Sequence, residues 1–222
     1  RIVVALEVRP PDYAEGVVLP QPPPGRLNIA VLEGSDVAVG LVAANKRLRR
    51  ATIVLGGRTF DLTAVDAERK SFRLAPGAAS ELTGVRQPLE FQIQGEDDDG
   101  FALPEVLRGE IALRPDQPPS VAAEVVTKFI LPTGKPTISY QAGDDLGIRS
   151  LAVVRQVVRP DGTTANDRVE IPWTVVPEGT PAVSATAPSG RFSLPLADLQ
   201  LAKGDKVTIR VEARDRRDDA GR

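Results

Sequence analysis

The feature that most constrains the fold is an internal repeat. Five strand-like segments of the first half recur in the same order in the second half. The matched apolar positions are Leu32, Val39, Leu41 and Ala43 with Leu131, Ile138, Tyr140 and Ala142; Leu48, Ala51 and Ile53 with Ile148, Leu151 and Val153; Phe72 and Leu74 with Phe192 and Leu194; and Leu89, Phe91 and Ile93 with Val207, Ile209 and Val211. The last pair of segments, 89–100 and 207–221, also shares an acidic loop that contains glycine. Because the order is kept, the repeat predicts two domains of one fold.

The repeated unit is built of short strands. Apolar residues alternate with polar ones in most segments, and 19 glycines and 20 prolines punctuate them. The pair Gly56-Gly57 between two such segments is a typical two-residue hairpin turn. No amphipathic helix of useful length is indicated. The pattern therefore predicts an all-β chain of two tandem immunoglobulin-like or fibronectin-like β-sandwich domains.

The proline-rich stretch 114–119 separates the two copies, because proline keeps a linker extended and denies it amide donors for sheet pairing. We expect domain 1 at residues 1–115 and domain 2 at residues 116–222. Domain 1 contains a closing strand around Ile111 after its acidic loop, and the second copy has no counterpart of it. We therefore expect domain 2 to lack its last strand and to leave an unpaired sheet edge.

The composition removes several classes of function. The chain has no cysteine and no histidine, which excludes disulfides, thiolate chemistry and the commonest general base and metal ligand. A net charge of -2 provides no field that would attract nucleic acid. No apolar run is long enough to cross a membrane, and the chain does not start with methionine. We expect a segment of a longer protein with no enzyme activity, no resident cofactor, no nucleic-acid partner and no membrane contact of its own.

The acidic loops are the candidate metal site. Calcium binds six to eight oxygen ligands, and aspartates at the ends of sandwich domains can supply them. The candidates are Asp97, Asp98 and Asp99 in the first loop and Asp215, Asp218 and Asp219 in the second. The contiguous aspartates of the first loop do not follow the alternating spacing of a calcium-binding loop. The competing interpretation is that aspartates and glycine shape the turns and solvate the loop tips.

Two further features suggest ligands. Trp173 alternates with apolar neighbours and is a candidate sugar-binding platform, with core or rim packing as the competing interpretation. The basic run 46–50 is a candidate grip for phosphate or an acidic polysaccharide, although no aromatic residue interleaves with it. For this run we favour a solvated strand start.

Three short motifs resemble a known group of proteins. They are E-x-R-P-P-x-Y at Glu7–Tyr13, V-L-E-G-S-x-V at Val31–Val37 and D-D-x-G-I-x-S-L at Asp144–Leu151. The chain resembles the immunoglobulin-like repeats in the extracytoplasmic part of large bacterial membrane-anchored proteins of planctomycetes and proteobacteria. The resemblance implies a location in the bacterial periplasm or cell envelope and a modular role. It implies no catalytic residue.

These observations lead to one principal hypothesis and two alternatives. The principal hypothesis is a non-catalytic tandem β-sandwich segment that serves as a spacer or a protein-interaction module, with a protein partner or self-association. The first alternative is an accessory carbohydrate- or polymer-binding module of a larger enzyme, for which Trp173, Tyr13 and Tyr140 are the available aromatic residues. The second alternative is a stalk that calcium makes rigid.

Overall fold

The computed structural model describes residues 2–15, 17–102, 106–126, 131–172 and 187–217. The chain divides into two compact units, Arg1–Asp116 (unit 1) and Gln117–Arg222 (unit 2), and the division lies within the proline-rich stretch 114–119. The described residues are nearly all β-structure, with three short 3-10 turns at Asp12–Ala14, Ser80–Leu82 and Ala197–Leu199. None of the helices in this part of the chain has the length and apolar character that a membrane crossing requires.

The described residues of unit 1 form eight strands in one continuous sheet that folds over on itself. They are β1 (Ile2–Arg9), β2 (Asn28–Leu32), β3 (Asp36–Ala43), β4 (Leu48–Leu55), β5 (Arg58–Ala64), β6 (Ser71–Arg73), β7 (Leu89–Asp97) and β8 (Leu107–Arg114). Their order in the sheet is β1-β3-β6-β5-β4-β7-β8-β2. Strand β5 pairs with β4 through its first residues and with β6 through its last two, so it joins the two layers. The arrangement is an immunoglobulin-like sandwich.

The core of unit 1 lies between the two layers and follows from the period-two alternation of the strands. In β7, Leu89, Phe91 and Ile93 are buried, while Glu90 on the other face is exposed. The hairpin between β4 and β5 turns at Gly56 and Gly57, whose φ angles of 53° and 80° favour glycine. The hairpin predicted from this pair is confirmed.

The described residues of unit 2 form two three-stranded sheets. The described strands are β9 (Ser120–Val125), β10 (Thr137–Gly143), β11 (Ile148–Val158), β12 (Thr164–Glu170), β13 (Ser189–Ser193) and β14 (Lys206–Asp215). The sheet orders are β13-β10-β9 and β12-β11-β14, and every pair is antiparallel. The two sheets enclose a smaller core, which includes Ile138, Tyr140, Leu151, Val153 and Leu194.

The repeat is visible in the strand registers. In unit 1, β4 pairs with β7 through a bulge between Leu48 and Arg50, and in unit 2 β11 pairs with β14 through a bulge between Ile148 and Ser150. Beyond the bulge Ile53 lies opposite Ile93 in unit 1. In unit 2 the corresponding residues, Val153 and Val211, lie opposite each other as well. The same irregularity at the same place supports one ancestral unit for both copies.

One predicted match is wrong by two residues. Phe72 lies opposite Leu41 in unit 1, but in unit 2 the residue opposite Tyr140 is Gly190, and Phe192 lies opposite Ile138. The reason is volume. A Cβ on Gly190 would lie 2.9 Å from the Tyr140 hydroxyl, so the tyrosine ring uses the space that the phenylalanine ring fills in unit 1.

The predicted match between Leu131 and Leu32 is also wrong. Leu131 is 73% exposed, whereas Leu32 is 2% exposed. Leu131 lies before β10 and outside the described strands. An alternation pattern shows which residues share a face, but it does not show where the sheet begins.

The last strand of unit 1 has no counterpart among the described residues of unit 2. Strand β8 pairs with β7 in antiparallel fashion and with β2 in parallel fashion. The described part of unit 2 contains no strand after β14 and none on its second edge. Because residues 173–186 and 218–222 of unit 2 lie outside the described residues, the predicted missing strand stays a prediction.

Candidate functional site

The acidic loop of unit 1 is held by its own polypeptide. Asp97 is 5% exposed; its Oδ2 lies 3.0 Å from Lys46 Nζ, and its Oδ1 accepts hydrogen bonds from the amides of Asp99 (3.2 Å) and Phe101 (2.9 Å). The Lys46 ammonium, followed by the Phe101 amide, holds the pKa of Asp97 below its usual value. The Oδ1 atom therefore closes the turn and Oδ2 pairs with Lys46, while Asp98 and Asp99 are exposed.

The basic run contributes to the same surface. Arg49 forms an ion pair with Glu96, and Arg50 Nε lies 2.6 Å from Asp61 Oδ1. Together with Lys46, three cations of the run are matched by carboxylates of neighbouring strands. This arrangement agrees with a solvated strand start, in which ion pairs between adjacent strands contribute little stability each.

The corresponding end of unit 2 has a different charge pattern. Asp215 is 7% exposed and lies opposite Ile148, as Asp97 lies opposite Leu48 in unit 1. Asp144 Oδ2 accepts from the amides of Leu146 (3.0 Å) and Gly147 (2.6 Å), and its Oδ1 is buried without a hydrogen-bond partner. Burial raises the pKa of Asp144, against the lowering effect of those two amides. Unit 2 therefore has carboxylates in the region that Lys46 occupies in unit 1.

The calcium hypothesis stays a prediction. Asp218 and Asp219 lie outside the described residues, so the second predicted loop is only partly visible. Within the described ranges no group of three or more carboxylates is arranged to hold a metal ion.

A buried arginine was not predicted from the sequence. Arg155 on β11 is 2% exposed and forms a two-pronged pair with Asp198, with its Nη1 3.0 Å from Oδ1 and its Nη2 2.8 Å from Oδ2. Nη1 also donates to the Pro195 carbonyl at 2.6 Å, and Nη2 pairs with Asp167 on β12. The arginine therefore ties three segments of unit 2 together. Its position in the sequence did indicate this burial, because Arg155 continues the alternation by which Leu151 and Val153 face the core.

The aromatic residues do not form an exposed platform in the described part of the chain. The Tyr13 hydroxyl donates to the Glu33 carbonyl at 2.9 Å, and Tyr140 belongs to the core of unit 2. Trp173 lies outside the described residues. A surface depression of about 520 Å³ lies on the sheet of β9, β10 and β13, where Glu124, Gln141 and Arg191 provide polar groups.

Among the described residues, β9 and β14 of unit 2 are less buried than their counterparts in unit 1. The three apolar residues of β14 that correspond to the buried residues of β7 are only partly buried. All six residues of β9 are exposed, and Val121 and Val125 are 38% and 44% exposed. In unit 1 the equivalent strand β1 buries Val4 and Leu6.

Comparisons with known proteins give structural likenesses only. No protein-family model matches the chain, and no curated protein matches it. A solved structure described as a 1.5-MDa bacterial ice-binding adhesin matches with 10% identity and a TM-score of 0.39 over 96% of this chain and 64% of that one. A tetra-tandem repeat in the extending region of a large adhesion protein matches with 15% identity and a TM-score of 0.31 over 96% of this chain and 45% of that one.

A third match is Bacteroides ovatus SGBP-B of the mixed-linkage glucan utilization locus, in complex with a mixed-linkage heptasaccharide. It has 11% identity and a TM-score of 0.24 over 85% of this chain and 48% of that one. The chain thus spans less than two thirds of each of the three structures. At TM-scores this low the likenesses carry no conclusion about function.

Proposed function

We propose that residues 1–222 are a non-catalytic spacer segment of a larger bacterial cell-envelope protein. The observation that carries this proposal is the path of the chain through unit 1. Arg9 lies opposite Asp36, and Leu32 lies opposite Arg114, while residues 33–35 connect β2 directly to β3. Ile2 is therefore at one end of the sandwich and Arg114 is at the other. A module entered at one end and left at the other can be placed in series with further modules.

The same path determines how unit 1 resists force. Tension applied at its two ends loads the β1–β3 and β2–β8 pairings along the strands, so that many backbone hydrogen bonds must break together. In unit 2, Ser120 lies opposite Gly143 and Asp215 lies opposite Ile148, with residues 144–147 connecting β10 to β11. The start of β9 and the end of β14 are therefore at one end, and tension peels the strands apart bond by bond.

Single-molecule force spectroscopy on the whole chain, held at its two termini, tests the proposal. We expect a low-force event from unit 2 and a separate high-force event from unit 1, because forced unfolding reports the barrier to unfolding. The unit 1 event releases about 400 Å of contour length for a unit of this size. Unit 2 in the same molecule is the internal control. Release of unit 1 at the same low force as unit 2 would contradict a spacer that withstands tension.

A glycan-binding module is the competing function, and a specific assay separates it from the spacer. Two of its three candidate aromatic residues, Tyr13 and Tyr140, are engaged within unit 1 and unit 2. Binding of the chain to a cell-wall polysaccharide that disappears in Trp173→Ala would favour the glycan-binding module. We expect no such binding.

A further inference from the structure

Strand β1 lies at one edge of the sheet of unit 1. Its neighbour is β3, and no other strand among the described residues pairs with it. In an antiparallel pair the backbone groups of successive residues point alternately toward the partner strand and away from it. Val4 and Val8 form backbone hydrogen bonds to residues outside β3, so the groups of Val4, Leu6 and Val8 face away from β3. This row is the edge at which a further strand can pair.

A proline-rich stretch of the same unit occupies this edge. We call residues 20–25, with the sequence PQPPPG, the proline segment. The side chain of Gln21 binds both backbone groups of Val8: its Oε1 accepts from the amide at 2.9 Å, and its Nε2 donates to the carbonyl at 2.7 Å. The Gly25 amide donates to the Val4 carbonyl at 2.7 Å. The proline segment therefore runs antiparallel along β1.

The proline segment has the spacing of a paired strand but cannot form a ladder. Gly25 follows Gln21 by four residues, and Val8 follows Val4 by four, as in an antiparallel pair. By this count Pro23 falls opposite Leu6, and it has no N–H to donate. The other prolines of the segment lack this donor as well, so the segment offers few donors to any strand on its own outer side.

The Gln21 side chain replaces backbone pairing at one end of the segment. A side-chain amide has the same donor and acceptor as a peptide group, so one glutamine satisfies both groups of Val8. Gln21 is exposed, yet both of its amide atoms are bound to backbone. The flanking prolines favour an extended conformation, which reduces the entropy lost when the side chain is held in place.

We propose that the proline segment is an edge guard that keeps β1 from pairing with β1 of a second copy of this chain. The strand is rich in β-branched residues, which is the composition that pairs edge to edge when it is uncovered. A second copy fits this edge because two identical strands can pair in antiparallel fashion about a two-fold axis. The guard covers the edge without presenting a new one.

Amide exchange of the whole chain, followed residue by residue, tests the contact. Gln21→Ala removes the acceptor of the Val8 amide, which should exchange about tenfold faster. The Glu7 amide faces β3 and should not change. Gln21→Glu keeps an acceptor oxygen and should retain most of the Val8 protection. Unchanged Val8 exchange in Gln21→Ala would show that the side chain does not close the edge, and would overturn the proposal.

Self-association tests the guarding itself. We call Gln21→Ala combined with Gly25→Pro the open variant, because proline has no N–H and a φ of about −65°, whereas Gly25 has a φ of 86°. In sedimentation analysis the open variant should dimerise with rising concentration, and the amides of Leu6 and Val8 should be protected in the dimer. The unmodified chain should stay monomeric at the same concentrations. Gln21→Ala alone loses only exposed contacts and should dimerise at higher concentration, so the test does not depend on Gly25→Pro.

Two changes at Val8 provide a matched pair in the open variant. Val8→Pro removes the N–H that faces the edge and should return the open variant to a monomer. Val8→Ala shortens the side chain but keeps the N–H, so the dimer should persist. Protection of the Ile93 amide in β7 shows in each variant that unit 1 is folded.

Three results would overturn the proposal. The first is an open variant that stays monomeric while Ile93 remains protected. The second is a dimer in which β9 or β14, and not β1, gains protection. The third is an unmodified chain that already dimerises through β1, because the proline segment would then guard nothing.

Discussion

A methyl group at Gly109 should destabilise unit 1 severely. Gly109 lies in β8, and a Cβ there would be 2.3 Å from Phe91 Cζ and 2.5 Å from the Leu27 carbonyl oxygen. Carbon atoms in good contact are about 3.5–4.0 Å apart, so the overlap exceeds about 1 Å. The Phe91 ring is 1% exposed and cannot turn into solvent. Overpacking of a core costs about 1–3 kcal/mol, and we expect Gly109→Ala to cost about 3 kcal/mol.

The matched control is Gly40→Ala in β3. The nearest atom to a Cβ at Gly40 is the Ala5 carbonyl oxygen at 3.7 Å, an ordinary contact. Replacing a glycine that has an ordinary backbone conformation restricts the unfolded chain, so this variant should stabilise unit 1 by about 0.5 kcal/mol.

Hydrogen exchange resolved by segment is the suitable assay, because two units need not unfold in one transition. For Gly109→Ala we expect exchange in β7 to accelerate about a hundredfold, since each tenfold change corresponds to about 1.4 kcal/mol. Exchange in β11 of unit 2 should not change. Equal effects of Gly109→Ala and Gly40→Ala would refute the packing argument, because the two sites differ in space and not in chemistry.

Two other predictions concern charged groups. Asp198→Ala should destabilise unit 2 by about 2 kcal/mol, because it leaves the buried Arg155 guanidinium with fewer partners. Adding Arg155→Met to this variant should recover part of the lost stability. Hydrogen exchange of unit 2 measures the double-mutant cycle, and additive effects of the two substitutions would show that the pair is not coupled. Asp97 and Asp144 should give opposite pH dependences of unfolding. The pKa of Asp97 is lowered by Lys46, so its contribution is present above the pKa of the unfolded chain and is lost as pH falls through the folded value. The pKa of Asp144 is raised by burial, so its contribution is present at low pH and is lost as pH rises through the folded value. Denaturant titrations across the range in which carboxyl groups titrate, from about pH 2 to about pH 7, measure both effects. Asp97→Asn should remove a contribution that raises the free energy of unfolding of unit 1 as pH increases. Asp144→Asn should remove a contribution that lowers the free energy of unfolding of unit 2 as pH increases. Changes of the same sign in the two variants would contradict the assignment.

The strand pattern could be predicted because it depends on local rules. Alternation placed Leu89, Phe91 and Ile93 on one face, and Gly56-Gly57 marked a turn that requires positive φ angles. The expectation that unit 2 lacks a counterpart of β8 followed from comparing the two copies, which needs only the order of segments. These inferences rest on the period of the side chains and on turn chemistry, both of which are readable along the chain.

The sequence did not predict features that depend on volume or on distant partners. The two-residue shift at Gly190 arises from the size of Tyr140, a residue 50 positions away in the chain. The burial of Arg155 depends on Asp198 and on the Pro195 carbonyl, which the chain brings together only after the sheets have packed. Similarly, the ion pair between Asp97 and Lys46 joins residues 51 positions apart, which the spacing within the acidic loop does not show.

The expected difference in mechanical resistance between the units follows from the path of the chain after β7 and after β14. In unit 1 the chain crosses the sandwich once more after β7, and this crossing is β8, which buries Ile111 and carries the chain to the end opposite Ile2. In unit 2 the described chain reaches Asp215 at the end where β9 begins. The spacer proposal therefore assigns the resistance to tension to unit 1, because only there are the two pulled ends on opposite sides of paired strands. A separate high-force event from unit 1 is the result that this assignment requires.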